Sequence, residues 1–432
     1  MIRRDALKEY AGGALWVLPT GCAVVALAAG FVLAHIQVGP DSPLSFLAFQ
    51  GTADDARALL VTIASTVVTV IALVLGLTVV ALQLSSTQFS PRLLRNFLRD
   101  RSTQGVLSVF LATFAYSAAG LYTVGVAAGN RVETYPRLAV SGAILLLFVS
   151  LAAVVFYANH LAHSIQIDAI ARLVEQVTLS VVRDLPVDID EAAALIPPPW
   201  ATPLLSSRSG YIQTARPADI LPVARQEEAS VLIRLRVGEH VVAGTTLAWV
   251  WRRTAEDPAP DAKVFGPAVE AAVRVGFERT MEQDAAFGIR QLVDIACKAL
   301  SPAVNDPYTA IQATDHLSVI FCALATRALG PVVAADAESA STVVVPGRTF
   351  ADYLSTMCGL IRRYGASEPT VCLALLRLLD SCAHVIPEGS ARLTAVSTEA
   401  RLVLTDAEHR VANANDVTPV RAAAAPLLNL TG

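Results

Sequence analysis

Four long apolar stretches precede residue 160. Each is about as long as the ~20 apolar residues that a helix needs to cross the hydrocarbon core of a bilayer. None of them contains Asp, Glu, Lys, Arg or His, which are costly in that environment. The pattern therefore predicts four transmembrane helices, at about residues 14–34, 58–82, 105–128 and 138–158.

Charges in the connecting segments predict the orientation of these helices, because short loops rich in Arg and Lys stay on the cytoplasmic side. The connection between the first and second helices carries three Asp and one Arg. Basic residues instead cluster before the first helix and between the second and third. We therefore expect a multi-pass membrane protein with both termini in the cytoplasm. The clustered basic residues are Arg3, Arg4, Lys8, Arg92, Arg95, Arg99 and Arg101.

The chain changes character after residue 162. Residues 163–200 are expected to form a connecting helix and a Pro-rich linker, because apolar positions at helical spacing lead to three consecutive prolines. Residues 201–262 alternate apolar and polar positions between glycines, which predicts a small β barrel-like module. Residues 263–432 are mainly helical in pattern. The expected fold is a membrane α-helical domain (residues 1–162) followed by a cytosolic α+β domain.

Periodicity and capping residues predict the elements of the last region. Asp306 followed by Pro307 is a favoured pair for the start of a helix. A short strand is expected at residues 342–346. The predicted helices cover residues 269–300, a segment starting near 306, and residues 349–364, 368–384 and 391–411.

Composition narrows the possible functions. Hydrophobic residues make up 54% of the chain, charged residues 16%, and the net charge is −4. Because such a chain has no basic field, we expect no nucleic-acid partner. The string VGEHVVAGTTLAWV resembles the half-motif of lipoyl- and biotinyl-type domains, but no lysine lies between Lys8 and Lys263. Carrier domains of this type have a lysine at their exposed hairpin, so the missing lysine excludes a carrier role. We predict neither a cofactor nor a metal.

Polar and small residues follow one face of the second apolar stretch. At 100° per residue they form a single stripe, which two apolar residues interrupt. Such a stripe can line a pore whose apolar constriction closes by dewetting, or it can be a helix–helix contact, and both interpretations stay open. The stripe comprises Thr62, Ser65, Thr66, Thr69, Gly76 and Gln83, with Leu73 and Val80 as the interruptions.

Ionisable residues are missing from all four apolar stretches. Pumps and proton-coupled transporters generally keep such groups in the membrane, so the leading hypothesis is a passive conduit. Four uncharged helices do not easily enclose a wet path alone, and the conduit therefore requires a homo-oligomer, with the cytosolic domain as vestibule or gate. The alternative is a membrane-anchored sensor or scaffold whose cytosolic domain binds a ligand or partner. A membrane-tethered enzyme is a third hypothesis, and no catalytic residue is assigned.

Three arginines follow the second stretch at helical spacing. Arg92, Arg95 and Arg99 would share one face just below the membrane. They could bind anionic lipid head groups, form a charged ring at a vestibule, or only enforce the topology. Anionic lipid is therefore a candidate partner besides the bilayer itself.

The cytosolic segment richest in polar and turn residues is ALSPAVNDPYTA, which begins at Ala299. Helix capping explains most of it, but a ligand could bind where this turn meets charged residues from upstream. No nucleophile, metal set or phosphate loop accompanies it. The candidate ligand-site residues are Arg279, Asp284, Asp294, Asn305 and Asp306.

The string SSTQFSPRLL, which begins at Ser85, resembles the hallmark of a bacterial membrane-protein family known as domain of unknown function 2254. Three later strings agree with it: GYI at Gly210, Arg279-Thr280 with Asp284, and ALSPAVNDPYTA. The resemblance implies an inner-membrane protein with its helices first and a cytosolic domain after them. It implies no activity, substrate or cofactor.

Overall fold

The chain divides into two compact units in a computed structural model, residues 1–169 and residues 170–432. We call them the membrane unit and the C-terminal unit and describe each by itself. The described residues are 16–36, 46, 48–88, 101–124, 136–164, 166–187, 195–336 and 340–430.

The membrane unit contains four long helices within its described residues. Each is long and apolar enough to cross a membrane. The prediction of four apolar helices ahead of a mixed helical and sheet region is thereby confirmed. The helices are α1 (Val17–His35), α2 (Ala53–Gln88), α3 (Arg101–Val124) and α4 (Arg137–Ser164).

Helix α3 contacts each of the other three membrane helices. Small residues permit this close approach, as they commonly do between helices in a bilayer. A Cβ atom added to Gly30 of α1 would lie 2.8 Å from the Cβ of Ala119, and one added to Gly142 of α4 would lie 2.2 Å from the Tyr116 hydroxyl. Glycine at these two positions therefore lets α1 and α4 pack closely against α3.

The C-terminal unit combines eight strands with nine helices in its described residues. Its first helix, α5, starts at the end of the membrane unit and carries one apolar face. In chain order the elements are α5 (Ile167–Arg183), β1 (Thr202–Leu205), β2 (Gly210–Ala215), α6 (Pro217–Gln226), β3 (Ala229–Ile233), β4 (His240–Val241), β5 (Thr246–Arg252), α7 (Ala262–Ala272), β6 (Val273–Gly276), α8 (Ala285–Ala299), α9 (Pro307–Leu324), β7 (Val332–Ala335), β8 (Thr342–Val345), α10 (Phe350–Gly365), α11 (Pro369–Val385), α12 (Ala391–Arg410) and α13 (Ala414–Leu428).

The strands form two sheets. One has the order β1-β5-β3-β8-β7 and is antiparallel except between β3 and β8, and the other has the order β4-β2-β6. Neither sheet closes on itself in the part of the chain that the structure describes, so the barrel-like module is not confirmed. Each sheet contains strands that precede residue 262 in the sequence and strands that follow it. The boundary predicted there does not separate a β module from a helical domain.

Apolar side chains from both sheets and from helices α6 and α7 form one core. Ile212, Val231, Val250 and Phe265 are fully buried in it. Inward and outward residues alternate along β3, whose burial follows the period of two expected of a strand. This core fixes the strands and the turns that connect them.

Helix α8 is buried over most of its length, and α9 and α10 pack against it. The sequence-based expectation of one helix over residues 269–300 is wrong. The chain ends α7 at Ala272, forms strand β6, turns, and starts α8 only at Ala285. Apolar spacing continues through β6, so periodicity alone cannot detect this interruption. The other predicted helices and the strand at residues 342–346 are confirmed within one or two residues.

Helix α5 packs against α8 through a glycine. A Cβ atom on Gly288 would lie 1.9 Å from the hydroxyl oxygen of Thr178, which is buried on α5. A second contact joins α5 to α9, where Glu175 Oε2 lies 2.5 Å from His316 Nδ1. The close crossing of α5 and α8 thus depends on the missing side chain at residue 288.

We predict that Gly288→Ala lowers the stability of the C-terminal unit by about 1–3 kcal/mol, because the added methyl group overpacks the contact with Thr178. The matched control is Gly359→Ala on α10, where an added Cβ would meet nothing within 4 Å. That change should be neutral or raise stability by about 0.5–1 kcal/mol, since alanine favours helix over glycine. Thermal unfolding of the full-length protein checks both variants, and equal midpoints would contradict the prediction.

Candidate functional site

The polar stripe of α2 lies on the exposed surface of the membrane unit. The buried residues of this helix, such as Ala56, Leu60 and Val67, occupy a different face. Every residue predicted to belong to the stripe is exposed: Thr62, Ser65, Thr66, Thr69, Leu73, Gly76, Val80 and Gln83. The stripe is therefore not a contact between helices of the same chain.

Helix α2 presents three different faces along its apolar span. At 100° per residue the buried residues occupy one sector and the stripe another. Four exposed large apolar residues, Val61, Val68, Leu75 and Val79, fall into a third sector. The helix thus has an inner face, an apolar face suited to lipid, and a face of small and polar residues.

Hydroxyl groups of the stripe are bonded within the helix itself. Thr62 donates to the Ala58 carbonyl at 2.7 Å, Ser65 to the Thr62 carbonyl at 3.0 Å and Thr69 to the Ser65 carbonyl at 3.1 Å. These bonds satisfy the hydroxyl protons and leave the oxygen lone pairs facing outward. The stripe can therefore accept hydrogen bonds from water or from a neighbouring helix.

A second set of polar residues lies inside the membrane unit, and sequence reasoning missed it. Thr113 of α3 is hydrogen-bonded to Ser150 of α4 at 2.9 Å, and Thr78 of α2 is bonded to Tyr157 of α4. All four are buried. The available signal was a series of hydroxyl and amide residues in and immediately before the third apolar stretch: Gln104, Ser108, Thr113 and Ser117.

The three arginines predicted below the membrane, Arg92, Arg95 and Arg99, lie outside the described residues.

In the C-terminal unit the structure brings Arg279 and Asp284 together. The guanidinium donates to both carboxylate oxygens, from Nε at 2.5 Å and from Nη2 at 3.1 Å. Asp284 also caps helix α8 by accepting from the Phe287 amide at 3.2 Å. Its side chain is 3% exposed and that of Arg279 is 22% exposed, so this ion pair is largely shielded from water.

Neighbouring groups pack tightly around the Arg279–Asp284 pair. A Cβ on Gly238, which has a φ of +87°, would lie 2.0 Å from Asp284 Oδ2, and the Phe287 ring lies 5.2 Å from the Arg279 guanidinium carbon. Burial, and then the Asp284 carboxylate, raise the pKa of the nearby Tyr353 to about 12. The pair is thus part of a closed, charge-compensated contact that joins the Gly238 turn to the start of α8.

The remaining cytosolic candidates do not share this site. Asp294 pairs with Arg290 one turn away, at 2.7 Å. Asp306 caps α9, and its hydrogen bonds from Thr309 lower the pKa of the carboxyl. Asn305 precedes that cap with a φ of +51°. Because α8 is 15 residues long and rises 1.5 Å per residue, its two ends are ~22 Å apart. The five candidates therefore form no single ligand site.

The sequence profile of the family described as "Predicted membrane protein (DUF2254)" matches residues 13–381. The chain belongs to this family. It is also 44% identical over 428 residues to the uncharacterized proteins Rv1290c of Mycobacterium tuberculosis and Mb1321c of Mycobacterium bovis, which covers 98% of this chain and 82% of each relative. No solved structure matches the chain significantly. The resemblance found in the sequence strings is thus confirmed.

Of the three later strings that resemble the family, two lie close together in the fold and the third lies elsewhere. Strand β2 begins with the GYI string and pairs with β6, and its Ile212 carbonyl accepts from the Gly238 amide at 2.8 Å. Gly238 in turn packs against Arg279 and Asp284. The ALSPAVNDPYTA string lies at the opposite end of α8. These strings therefore mark two separate turns of the C-terminal unit.

Two cysteines of the C-terminal unit are close enough to share a proton. The Cys382 thiol hydrogen-bonds to Cys322 and lowers the pKa of Cys322 to about 7, whereas burial raises the pKa of Cys297 on α8 to about 11. Cys322 is half-buried and Cys382 is buried. The more exposed thiol of Cys322 is therefore the one of the two that loses its proton more readily. No group of three or more His, Cys, Asp or Glu side chains within the described ranges could hold a metal ion.

We predict that Asp284→Asn lowers the stability of the C-terminal unit by about 3 kcal/mol, because Arg279 loses its counter-charge in a shielded position. Asparagine also caps helices, so the change removes the charge and keeps the cap. The control is Asp294→Asn, whose partner is more exposed and which should cost at most about 1 kcal/mol. Chemical denaturation of both variants measures the difference, and equal losses would contradict a special role for the Arg279 pair.

Alkylation by iodoacetamide should distinguish Cys322 from Cys297. The thiolate reacts, so the rate at Cys322 should rise as the pH increases through about 7, whereas Cys297 should still be gaining reactivity well above pH 9. Cys382→Ala removes the hydrogen-bond donor and should shift the Cys322 profile to higher pH. Peptide mass spectrometry measures each site separately. Identical pH profiles at the two cysteines would refute the assignment.

Proposed function

We propose that the protein is a homo-oligomeric membrane conduit in which the stripe of each α2 helix lines a shared path. The observation that supports this proposal is the exposure of the whole stripe on the outside of the single chain. Facing lipid, this surface would present hydroxyl and amide oxygens to hydrocarbon. Facing other copies of the chain, it would surround a path able to hold water.

Other exposed faces of the membrane unit differ from the stripe in chemistry. Helix α4 exposes Leu145, Phe148, Leu151 and Phe156, which are suited to contact with acyl chains. On α2 the exposed residues Val61, Val68, Leu75 and Val79 form an apolar sector beside the stripe. Lipid contact and a polar path can therefore coexist on α2 without conflict.

Leu73 and Val80 would form the constriction of the conduit. They are seven residues apart, so they lie on the same side of α2 two turns apart, with Gly76 between them. Apolar rings at such positions can close a pore by excluding water. Thr62, Ser65, Thr66 and Thr69 would line one side of the constriction and Gln83 the other.

The family resemblance favours a bacterial inner membrane, and the loop charges favour an orientation with both termini in the cytoplasm. In this arrangement the C-terminal unit is a cytosolic vestibule or gate, and anionic lipid is a candidate ligand of Arg92, Arg95 and Arg99. We assign no catalytic role to the C-terminal unit. Asp284, Asp294 and Asp306 are engaged in capping or ion pairing, which explains their presence structurally.

Leu73→Ser should increase the basal ion flux through the protein reconstituted in liposomes, because a hydroxyl group keeps the constriction wet. Leu151→Ser on α4 is the matched control, since Leu73 and Leu151 are each 60% exposed in the single chain. The control should leave the flux unchanged. Val80→Ser provides a second test of the same constriction.

Native mass spectrometry of the protein in nanodiscs tests the assembly. A discrete homo-oligomer is expected. A monomer would rule out the shared path and would favour a membrane-anchored sensor or scaffold. An oligomer in which neither Leu73→Ser nor Val80→Ser alters the flux would retain the assembly but refute the gate.

A further inference from the structure

Three buried polar atoms inside the membrane unit have no hydrogen-bond partner among the described residues. They are the Gln104 side-chain nitrogen, the Tyr116 hydroxyl and the Ser117 hydroxyl, all on helix α3. Gln104 and Tyr116 are each 4% exposed and Ser117 is fully buried. These groups are therefore shielded from both lipid and bulk solvent by the other helices.

Unpaired polar groups destabilise a protein when they are buried between membrane helices. Burying a hydroxyl or amide without a hydrogen bond disfavours the folded state, and the hydrocarbon around the helices supplies no partner. Buried polar groups in proteins are nearly always paired, either with protein atoms or with ordered water. Three unpaired groups on one helix indicate that a small hydrogen-bonding ligand occupies the interior.

The three groups lie on different sides of α3, because at 100° per residue Gln104, Tyr116 and Ser117 are about 100–140° apart from one another. The Tyr116 hydroxyl reaches the α4 backbone at Gly142, where an added Cβ would lie 2.2 Å from it. Ser117 lies one helical turn from Thr113, which is hydrogen-bonded to Ser150. Tyr116 thus faces the α4 backbone, and Ser117 follows the Thr113–Ser150 contact by one turn.

The three polar groups are also spread along the axis of α3. Gln104 and Ser117 are 13 residues apart on the same helix, or ~20 Å at 1.5 Å per residue. The hydrocarbon core is ~30 Å thick. Near the Gln104 end of the unit, Thr78 and Tyr157 supply a further pair of buried hydroxyl groups.

We infer that the interior of each chain binds ordered water along α3, at sites formed by Gln104, Tyr116 and Ser117. The ligand is uncharged, because no Asp, Glu, Lys or Arg is among the buried residues that the structure describes in the membrane unit. Water fits hydroxyl and amide groups that can both donate and accept. This water lies inside one chain, is separate from the path along α2, and does not depend on assembly.

Radiolytic hydroxyl-radical labelling in nanodiscs tests this inference. Radicals formed from a bound water modify the side chain next to it, even when that side chain is shielded from bulk solvent. Tyr116 should be modified several-fold faster than Phe110, a buried aromatic residue of the same helix. Equal and negligible labelling of the two residues would overturn the proposal.

A second measurement uses the thermal unfolding midpoint of Tyr116→Phe. If water bonds to the hydroxyl, its removal loses a hydrogen bond and the midpoint falls. If the hydroxyl is dry and unpaired, its removal relieves a desolvated group and the midpoint rises, which would also refute the inference. Tyr157→Phe is the control, because its hydroxyl is bonded to Thr78 and its loss lowers the midpoint in either case.

Discussion

The central position of helix α3 determines which side chains of the membrane unit are enclosed. Lipid tails are as apolar as leucine, so the hydrophobic effect does not select the inner face of a membrane helix, and fit and hydrogen bonding select it instead. Gly30 and Gly142 let α1 and α4 approach α3 closely, and the Thr113–Ser150 bond fixes one side of that contact. With α3 enclosed on several sides, α2 is left with an unpacked face, and that face carries its stripe of hydroxyl groups.

The membrane helices could be predicted from sequence because spanning a bilayer requires a minimum apolar length, which is visible without knowledge of any contact. The α2 stripe was also predictable, since its residues recur at helical spacing. The buried polar residues of α3 were not predictable in this way, because a helix packed on several sides carries its polar residues at spacings of four and five, which produce no stripe. Sequence periodicity detects a helix whose two faces differ in polarity, and the faces of α3 differ little in polarity.

In the C-terminal unit, predictions from the sequence failed where long-range contacts override the local hydrophobic pattern. A continuous helix over residues 269–300 would place Arg279 and Asp284 about 140° apart around its axis, too far around for a bidentate pair. Strand β6 forms instead because β2 is available to pair with it, and the turn that follows brings the two charges together. The caps at Asp306 and Thr349 were easier to predict or explain, because each involves residues within one turn. The candidate ligand site could not be predicted as a whole, since α8 separates its members.

The parallel pairing of β3 with β8 also constrains the order of biogenesis. The paired residues are separated by about 110 positions in the chain, and pairing over such distances is slow and occurs late. Until residue 345 has left the ribosome, one edge of β3 remains open, and open edges favour aggregation. The membrane helices need only local hydrogen bonds and emerge first. Synthesis interrupted before residue 342 would therefore leave an inserted helical bundle attached to an incomplete, aggregation-prone sheet. Quality-control proteases would have to remove such a product.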